Sequence, residues 1–327
     1  MRKNQRVFVG TDQGIATLER GGDGWRKIAL SLSSQRVTAV SICGREVLAG
    51  TREGIFRSED AGETWQKSND GLTVTYIRWL AHHPDDSGVA LAGTEPAALF
   101  VSHDGGRTWR ECPEVAELRD LHSWYLPYSS GAGCIRGFAF HGTRIYAAVE
   151  VGGLLGSDDG GATWGLVEGS SGSPSAAPLG MVHPDVHSVA VHPSSSDLIF
   201  APTGGGFYRS EDGGRTWMRL YDCYCRAVWS DPIRPDHLIL GPADSVDRNG
   251  RIERTSDGGK TWTSASEGLD VPWSRHMVER FLQAGDDLLA VLSNGDLLAA
   301  PLETLAWRRI AIQVQGVRAV TGVATAE

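Results

Sequence analysis

The chain has 327 residues, a length that closed all-β repeat folds reach within one domain. Glycine accounts for 41 residues, nearly twice its average usage, which is typical of a fold with many tight turns. The formal net charge of −9 argues against a general nucleic-acid binder, because such a protein needs a broad basic face.

No membrane partner is expected, because no stretch approaches about 18 consecutive apolar residues. The N-terminal residues MRKNQRVFVG lack the apolar run of a signal peptide. The five cysteines are an odd number, which favours reduced thiols. These features together predict a cytoplasmic protein.

Predicted strands recur along the chain in units of about 45 residues. Each unit has an innermost strand, a second strand, a short polar turn and a third strand. The chain begins inside such a unit, at RVFVGTDQG. Innermost strands are predicted at 36–42, 78–84, 136–142, 187–193, 226–232 and 317–324, and the following pairs of strands at 47–58, 90–102, 146–157 and 199–210.

A recurring string of eight residues follows the third strand, with the pattern [S/T]-x-D-x-G-x-T-W. Its five copies end at Trp65, Trp109, Trp164, Trp217 and Trp262, and weaker copies end at Trp25 and Trp307. Ser, Thr and Asp side chains bond nearby backbone amides, and glycine adopts positive φ without a steric clash. The aspartates are therefore predicted to hold turns between the third and fourth strands and not to act in catalysis.

Seven units of this size predict an all-β fold, a seven-bladed β-propeller with four-stranded antiparallel blades. The whole chain, 1–327, is expected to form this single domain. The segment 317–324 reads as an innermost strand, and we expect it to complete the N-terminal blade. Closing the ring in this way leaves few bare sheet edges.

The strings resemble the Asp-box, or BNR, repeats of sialidases, sortilin-type receptors, xyloglucanases and photosystem II assembly factors. The resemblance covers nearly the whole chain and implies the propeller fold, with the Asp boxes on the rim away from a ligand site. It implies no single function, because folds of this kind host many activities. The Phe-Arg-Ile-Pro signature of sialidases is absent, and sialidases resemble a six-bladed ring.

Basic residues recur at the start of the innermost strands. They are Arg36, Arg78, Arg136, His187, Arg226 and Arg318, with Arg275 or His276 near this position in the seventh unit. Blade symmetry brings these positions to one end of the channel, where arginines are expected to bind an anion. Alternatively, carboxylates on neighbouring turns, including Glu95 and Glu150, neutralise the ring and the pairs fasten adjacent blades.

Departures from the repeat give a more specific prediction. Glu150 stands where other units carry threonine, and His187 stands where they carry arginine. The connections 110–134 and 165–186 are the longest, and the first contains His122 and Tyr125, which are expected to form a lid. We therefore predict a site at the channel mouth near blades four to six, with Glu150 or His187 as general acid or base.

Three functions remain open. In the first, the channel binds an anionic small molecule or glycan, such as a carboxylate or acidic sugar. In the second, the protein is a non-catalytic interaction propeller that binds an acidic peptide or C-terminus, as the similar assembly factors do. The third is a glycosidase-like hydrolase or a metal-assisted polysaccharide lyase. No ligand spacing calls for a metal, although His122, His187, His276 and Glu150 are suitable ligand types for a divalent ion.

Overall fold

The structure, a computed structural model, describes residues 5–175 and 178–322. Blade 1 contains β1 (Arg6–Thr11), β2 (Gly14–Gly21) and β3 (Gly24–Ser31), and blade 2 contains β4 (Ala39–Cys43), β5 (Glu46–Thr51), β6 (Gly54–Ser58) and β7 (Gln66–Lys67). Blade 3 contains β8 (Ile77–His82), β9 (Ala90–Thr94), β10 (Leu99–Ser102) and β11 (Arg110–Glu111). The helix α1 (Pro113–Leu121) follows blade 3.

Blade 4 contains β12 (Cys134–His141), β13 (Arg144–Glu150), β14 (Gly153–Ser157) and β15 (Gly165–Leu166), and blade 5 contains β16 (Ala190–Val191), β17 (Ile199–Thr203), β18 (Gly206–Ser210) and β19 (Met218–Tyr221). Blade 6 contains β20 (Tyr224–Ser230), β21 (Leu238–Ala243), β22 (Glu253–Thr255) and β23 (Thr263–Ser264). Blade 7 contains β24 (Val278–Ala284), β25 (Asp287–Leu292), β26 (Leu297–Pro301) and β27 (Arg308–Arg309), and β28 (Val317–Gly322) ends the chain's described part.

These strands form seven four-stranded antiparallel sheets arranged in a ring, which confirms the predicted propeller. The strand β28 pairs with β1, with Val320 opposite Val9, and so becomes the innermost strand of blade 1. The ring is therefore closed by pairing between the two ends of the chain, as the sequence predicts. No helix of the described residues is long and apolar enough to cross a bilayer.

The Asp boxes form turns whose hydrogen bonds occupy the aspartate completely. In blade 3, the Ser102 hydroxyl donates to Asp104 Oδ1 at 2.7 Å and accepts from the Gly106 amide at 2.8 Å. Asp104 also accepts from the backbone amides of Arg107 and Thr108, each at 2.9 Å, and from the Thr108 hydroxyl at 2.7 Å. This carboxylate holds the turn, which agrees with the structural role predicted for the repeat.

Blades pack closely because glycines in the second strands admit side chains of the next blade. A Cβ on Gly50 would lie 2.5 Å from Ile77, and one on Gly93 would lie 2.4 Å from Ile135. Both isoleucines are buried on innermost strands. This contact explains why small residues recur near the end of the second strand, next to the channel.

The connection between blades 3 and 4 contains the helix α1, which the sequence analysis did not predict. Pro113 occupies the first turn of this helix, a position that tolerates a missing amide hydrogen, and Val115 is buried against the blades. Nine residues carry little helical periodicity of their own, so tertiary packing decides the conformation here.

Candidate functional site

The innermost strands carry β-bulges at the end of the channel where the predicted cations lie. Within the described residues, the extra residue of the bulge is charged in five blades. These residues are Arg318 in blade 1, Arg78 in blade 3, Arg136 in blade 4, Arg226 in blade 6 and Glu279 in blade 7. A bulge leaves its extra residue unpaired and re-aims the side chain. The bulges thus explain how side chains on inner strands reach the channel.

The seventh position is an anion, where the sequence led us to expect Arg275 or His276. Glu279 occupies the bulge of β24, while Arg275 lies exposed in the preceding turn and His276 stacks on Trp273 with ring centroids 4.9 Å apart. The prediction that Arg275 or His276 supplies a cation at this position is therefore wrong. A bulge shifts the register by one residue, and nothing in the local sequence marks that shift.

Glu279 joins arginines of two other blades. Its carboxylate accepts a hydrogen bond from Arg226 and another from Arg136 Nη2 at 3.3 Å. Burial alone would raise the pKa of Glu279, but the two guanidinium groups lower it. Blade 4 lies across the ring from blade 7, so this contact spans the channel.

The other ring arginines also have internal partners. Arg318 donates two hydrogen bonds to Asp12, at 3.1 and 3.0 Å, and Arg36 contacts the same carboxylate at 2.6 Å.

Arg78 is paired with Glu95, and Arg136 Nη1 lies 3.2 Å from Glu150 Oε2. These carboxylates lie on turns of the blades. For these arginines the geometry matches the alternative in which turn carboxylates neutralise the ring.

Arg280 is the exception to this pairing. It has no ion pair or hydrogen-bond acceptor among the described residues, and its guanidinium carbon lies 3.8 Å from the centroid of the Trp79 ring on the facing blade 3. Burial and the positive charge of Arg136 lower the pKa of Arg280 to about 9. Sequence reasoning missed Arg280 because it compared only the first residue of each strand. The charged pair Glu279–Arg280 inside an innermost strand was the available signal.

Arg280 faces an open cavity at the channel mouth, which we call the arginine cavity. Its volume is about 190 Å³. The charged and aromatic residues that line it are Arg36, Tyr76, Arg78, Trp79, Arg136, Glu279, Arg280 and Arg318. Four of the arginines predicted from the sequence therefore converge there, whereas Arg226 lies behind Glu279 and does not line the cavity.

The two residues predicted as acid and base lie in a separate buried cluster. Ligating atoms of Glu150, Asp185 and His187 all lie within 4.8 Å of one another, and we call these residues the Glu150 cluster. The side chains of Glu150 and His187 are 6% and 0% exposed. Burial alone would raise the pKa of Glu150, but Arg136 and His187 lower it to about 2. Glu150 is thus an ion-paired carboxylate at neutral pH and holds no proton to donate.

Asp185 was not among the residues predicted from the sequence. It lies in the long connection 165–186, two residues before His187, and its Oδ2 is 3.1 Å from His187 Nε2. The motif Asp-x-His was visible there, and such spacing places both side chains on one side of an extended segment.

The predicted lid residues take different positions. His122 caps the end of α1 and lies against Gly172, and Tyr125 is 53% exposed, so neither lines the arginine cavity. The same connection instead supplies Ser129, whose hydroxyl donates to Glu95 Oε1 at 2.5 Å, and Tyr128, which helps to lower the pKa of Glu150. The connection therefore contacts the carboxylates that hold Arg78 and Arg136.

Comparison with known proteins agrees with this architecture. The family model described as BNR/Asp-box repeat matches residues 100–111, within the turn of blade 3. The chain is a seven-bladed β-propeller with Asp-box turns. No curated protein sequence matches it.

Solved structures of similar shape have varied functions. An ancestral GH74 enzyme shares 18% identity at a TM-score of 0.63, over 97% of this chain but only 39% of that enzyme. YCF48 bound to D1 peptide shares 18% identity at a TM-score of 0.61, over 90% of this chain and 89% of that one. Apo AztD from Citrobacter koseri shares 12% identity at a TM-score of 0.61, over 99% of each chain. At these identities the likeness shows the propeller fold alone.

Proposed function

We propose that the arginine cavity binds a carboxylate group of a small acid or sugar acid. The observation that carries this proposal is Arg280, a guanidinium that faces the cavity without an ion-pair partner among the described residues. A ligand carboxylate accepts two parallel hydrogen bonds from such a group. The cation–π contact with Trp79 holds the guanidinium at the cavity.

The balance of charge around the cavity supports an anionic ligand. Six arginines meet at this end of the channel, and five carboxylates lie within 4 Å of them among the described residues. The carboxylates belong to Asp12, Glu95, Glu150, Asp247 and Glu279. One positive charge is left over, and it belongs to Arg280. A ligand with a single carboxylate restores neutrality in a site where burial strengthens electrostatic attraction.

The size of the cavity supports recognition of one acidic group. Its volume of about 190 Å³ is below the range of roughly 300–1,000 Å³ that holds a drug-sized ligand. A small acid fits inside, and a longer ligand would place only its acidic end there. The ionised Glu150 and the buried His187 favour binding over acid–base catalysis, so hydrolase or lyase activity has less support than binding.

Calorimetric titration of the purified chain with glucuronate, N-acetylneuraminate and matched neutral sugars tests the proposal. We expect saturable binding of at least one acid, no binding of its neutral analogue, and a loss of at least tenfold in affinity in R280M. The matched control is R254M, because Arg254 is exposed on blade 6 and lies outside the cavity.

A short peptide with a free C-terminus, compared with its amidated form, covers the interaction alternative. Binding of the free peptide alone, at Arg280, would assign the cavity to a peptide carboxylate in place of a sugar acid. Unchanged affinity for every anion in R280M would overturn the proposal.

A further inference from the structure

The Glu150 cluster lies where three blades meet, outside the arginine cavity. Glu150 ends β13 of blade 4, and Asp185 and His187 precede β16 of blade 5. Backbone and side-chain atoms of Cys225 and Tyr224, on β20 of blade 6, contact the imidazole. The cluster thus combines two carboxylates and one fully buried histidine.

Backbone contact fixes the orientation of the imidazole. His187 Nδ1 lies 2.9 Å from the backbone oxygen of Cys225, which can only accept, so Nδ1 carries hydrogen and donates it. In the neutral ring, the lone pair then lies on Nε2, which points toward Asp185. A hydrogen bond from one ring nitrogen to a backbone carbonyl is the arrangement that orients metal-binding histidines.

When the His187 ring is neutral, neither His187 nor Asp185 carries a positive charge. Nε2 lies 3.1 Å from Asp185 Oδ2 and 3.2 Å from the Tyr224 hydroxyl. The tyrosine oxygen already accepts from Arg226 at 3.1 and 3.3 Å, so its own hydrogen is available to Nε2. The nitrogen and the carboxylate oxygen are then two acceptors facing each other.

A second observation is an unsatisfied atom of Asp185. Its Oδ1 is buried and has no hydrogen-bond partner, although a buried carboxylate oxygen ordinarily has at least one. Two carboxylates, Glu150 and Asp185, thus lie against one imidazole within this cluster, and one carboxylate oxygen has no partner. A bound cation would satisfy that oxygen and balance the two carboxylates.

The donor set and its spacing favour a metal ion. Zinc takes nitrogen from histidine and oxygen from carboxylates at about 2.0–2.2 Å, in tetrahedral geometry. Ligand atoms of such a site lie roughly 3.3–3.5 Å apart. His187 Nε2 and Asp185 Oδ2 are 3.1 Å apart, and the Glu150 ligand atom lies within 4.8 Å of both. The Asp185 side chain is 25% exposed, which gives an ion a route from solvent.

We propose that Glu150, Asp185 and His187 form a binding site for one divalent transition-metal ion of the zinc class. Three protein ligands leave a coordination position for water or an incoming donor. The site does not use Arg280, although Glu150 also pairs with Arg136, which lines the arginine cavity.

The test uses the full chain after treatment with a chelator. Zinc is titrated by calorimetry, and cobalt is titrated by visible absorption, which reports the coordination geometry of the metal. We expect one ion per chain, and affinity lower by at least tenfold in both D185N and H187Q. The control H103Q removes an exposed histidine on the rim and should bind as the wild type does.

Several outcomes would overturn the proposal. One is the absence of saturable binding; another is unchanged affinity and an unchanged cobalt spectrum in D185N and H187Q. If H187Q does not fold, D185N decides, because Asp185 is partly exposed and its substitution keeps the side-chain shape. The variant R280M should bind zinc normally, so failure of the metal site and failure of carboxylate binding are distinguishable.

Discussion

Replacing Arg280 by methionine removes a partly buried guanidinium that has no ion pair among the described residues and that Glu279 attracts without pairing with it. Burial and Arg136 lower the pKa of Arg280 from 12.5 to about 9. A guanidinium stays protonated at neutral pH, so this lowering measures how unfavourable the charge is in the folded state. Because the folded value lies below the unfolded value, the destabilisation is fully present below pH 9 and declines as the pH rises toward 12.5.

The size of the effect follows from the pKa. The pKa of Arg280 is lower by about 3.5 in the folded protein, and at about 1.36 kcal/mol per pKa unit the destabilisation by its charge has an upper limit of about 5 kcal/mol. Methionine forfeits the contact of the cation with Trp79, worth about 0.5–2 kcal/mol. Since water and relaxation reduce the repulsion further, we expect R280M to raise the free energy of unfolding by about 1–3 kcal/mol.

Urea denaturation of the wild type and R280M measures this difference. The control R136M should lose about 3–5 kcal/mol, because it removes the guanidinium that pairs with the buried Glu150 and leaves Glu279 with Arg226 as its one ion-pair partner among the described residues. A bound acid at 100 times its wild-type Kd should stabilise the wild type by about 2.7 kcal/mol and R280M by at most about 1.4 kcal/mol, the value for a tenfold loss of affinity. If R280M is destabilised as strongly as R136M, Arg280 is neutralised within the fold, and the reasoning fails.

Three further predictions concern the rim, the Glu150 cluster and the thiols. Asp104→Ala removes the hydrogen bonds of one Asp box and should lower the free energy of unfolding by about 1–2 kcal/mol in urea without changing ligand affinity. The pKa of Glu150 is about 2 in the folded protein and 4.5 as its reference, which implies about 3 kcal/mol of stability that is present above pH 4.5 and lost as the pH falls toward 2. An acid titration followed by circular dichroism should show this loss in the wild type and not in E150Q, and identical profiles would refute the prediction. Burial raises the pKa of Cys134 and Cys225, so neither should react with a thiol reagent in the native protein, whereas the partly exposed Cys223 should, as peptide mass mapping will show.

The sequence predicts which arginines lie at the channel mouth but not which carboxylates pair with them. The repeat placed Arg78, Arg136 and Arg318 at equivalent positions, and they do converge at the channel mouth. Their partners were harder to predict, since Glu279 reaches Arg136 across the ring from a residue 143 positions away. Of the residues that carry the two proposals, Asp185 lies two residues before His187, which the sequence had singled out, and Arg280 lies four residues beyond His276.

Short-range chemistry explains what the sequence alone determined. A serine or threonine, an aspartate, a glycine and a tryptophan within eight residues specify one turn in each of five units, and the seven spaced tryptophans specify the number of blades. The register of each bulge and the pairing of charges across the channel were decided only by the tertiary structure. These features arise where strands from opposite sides of the ring meet, and an electrostatic contact depends on that distance in space and not on separation along the chain.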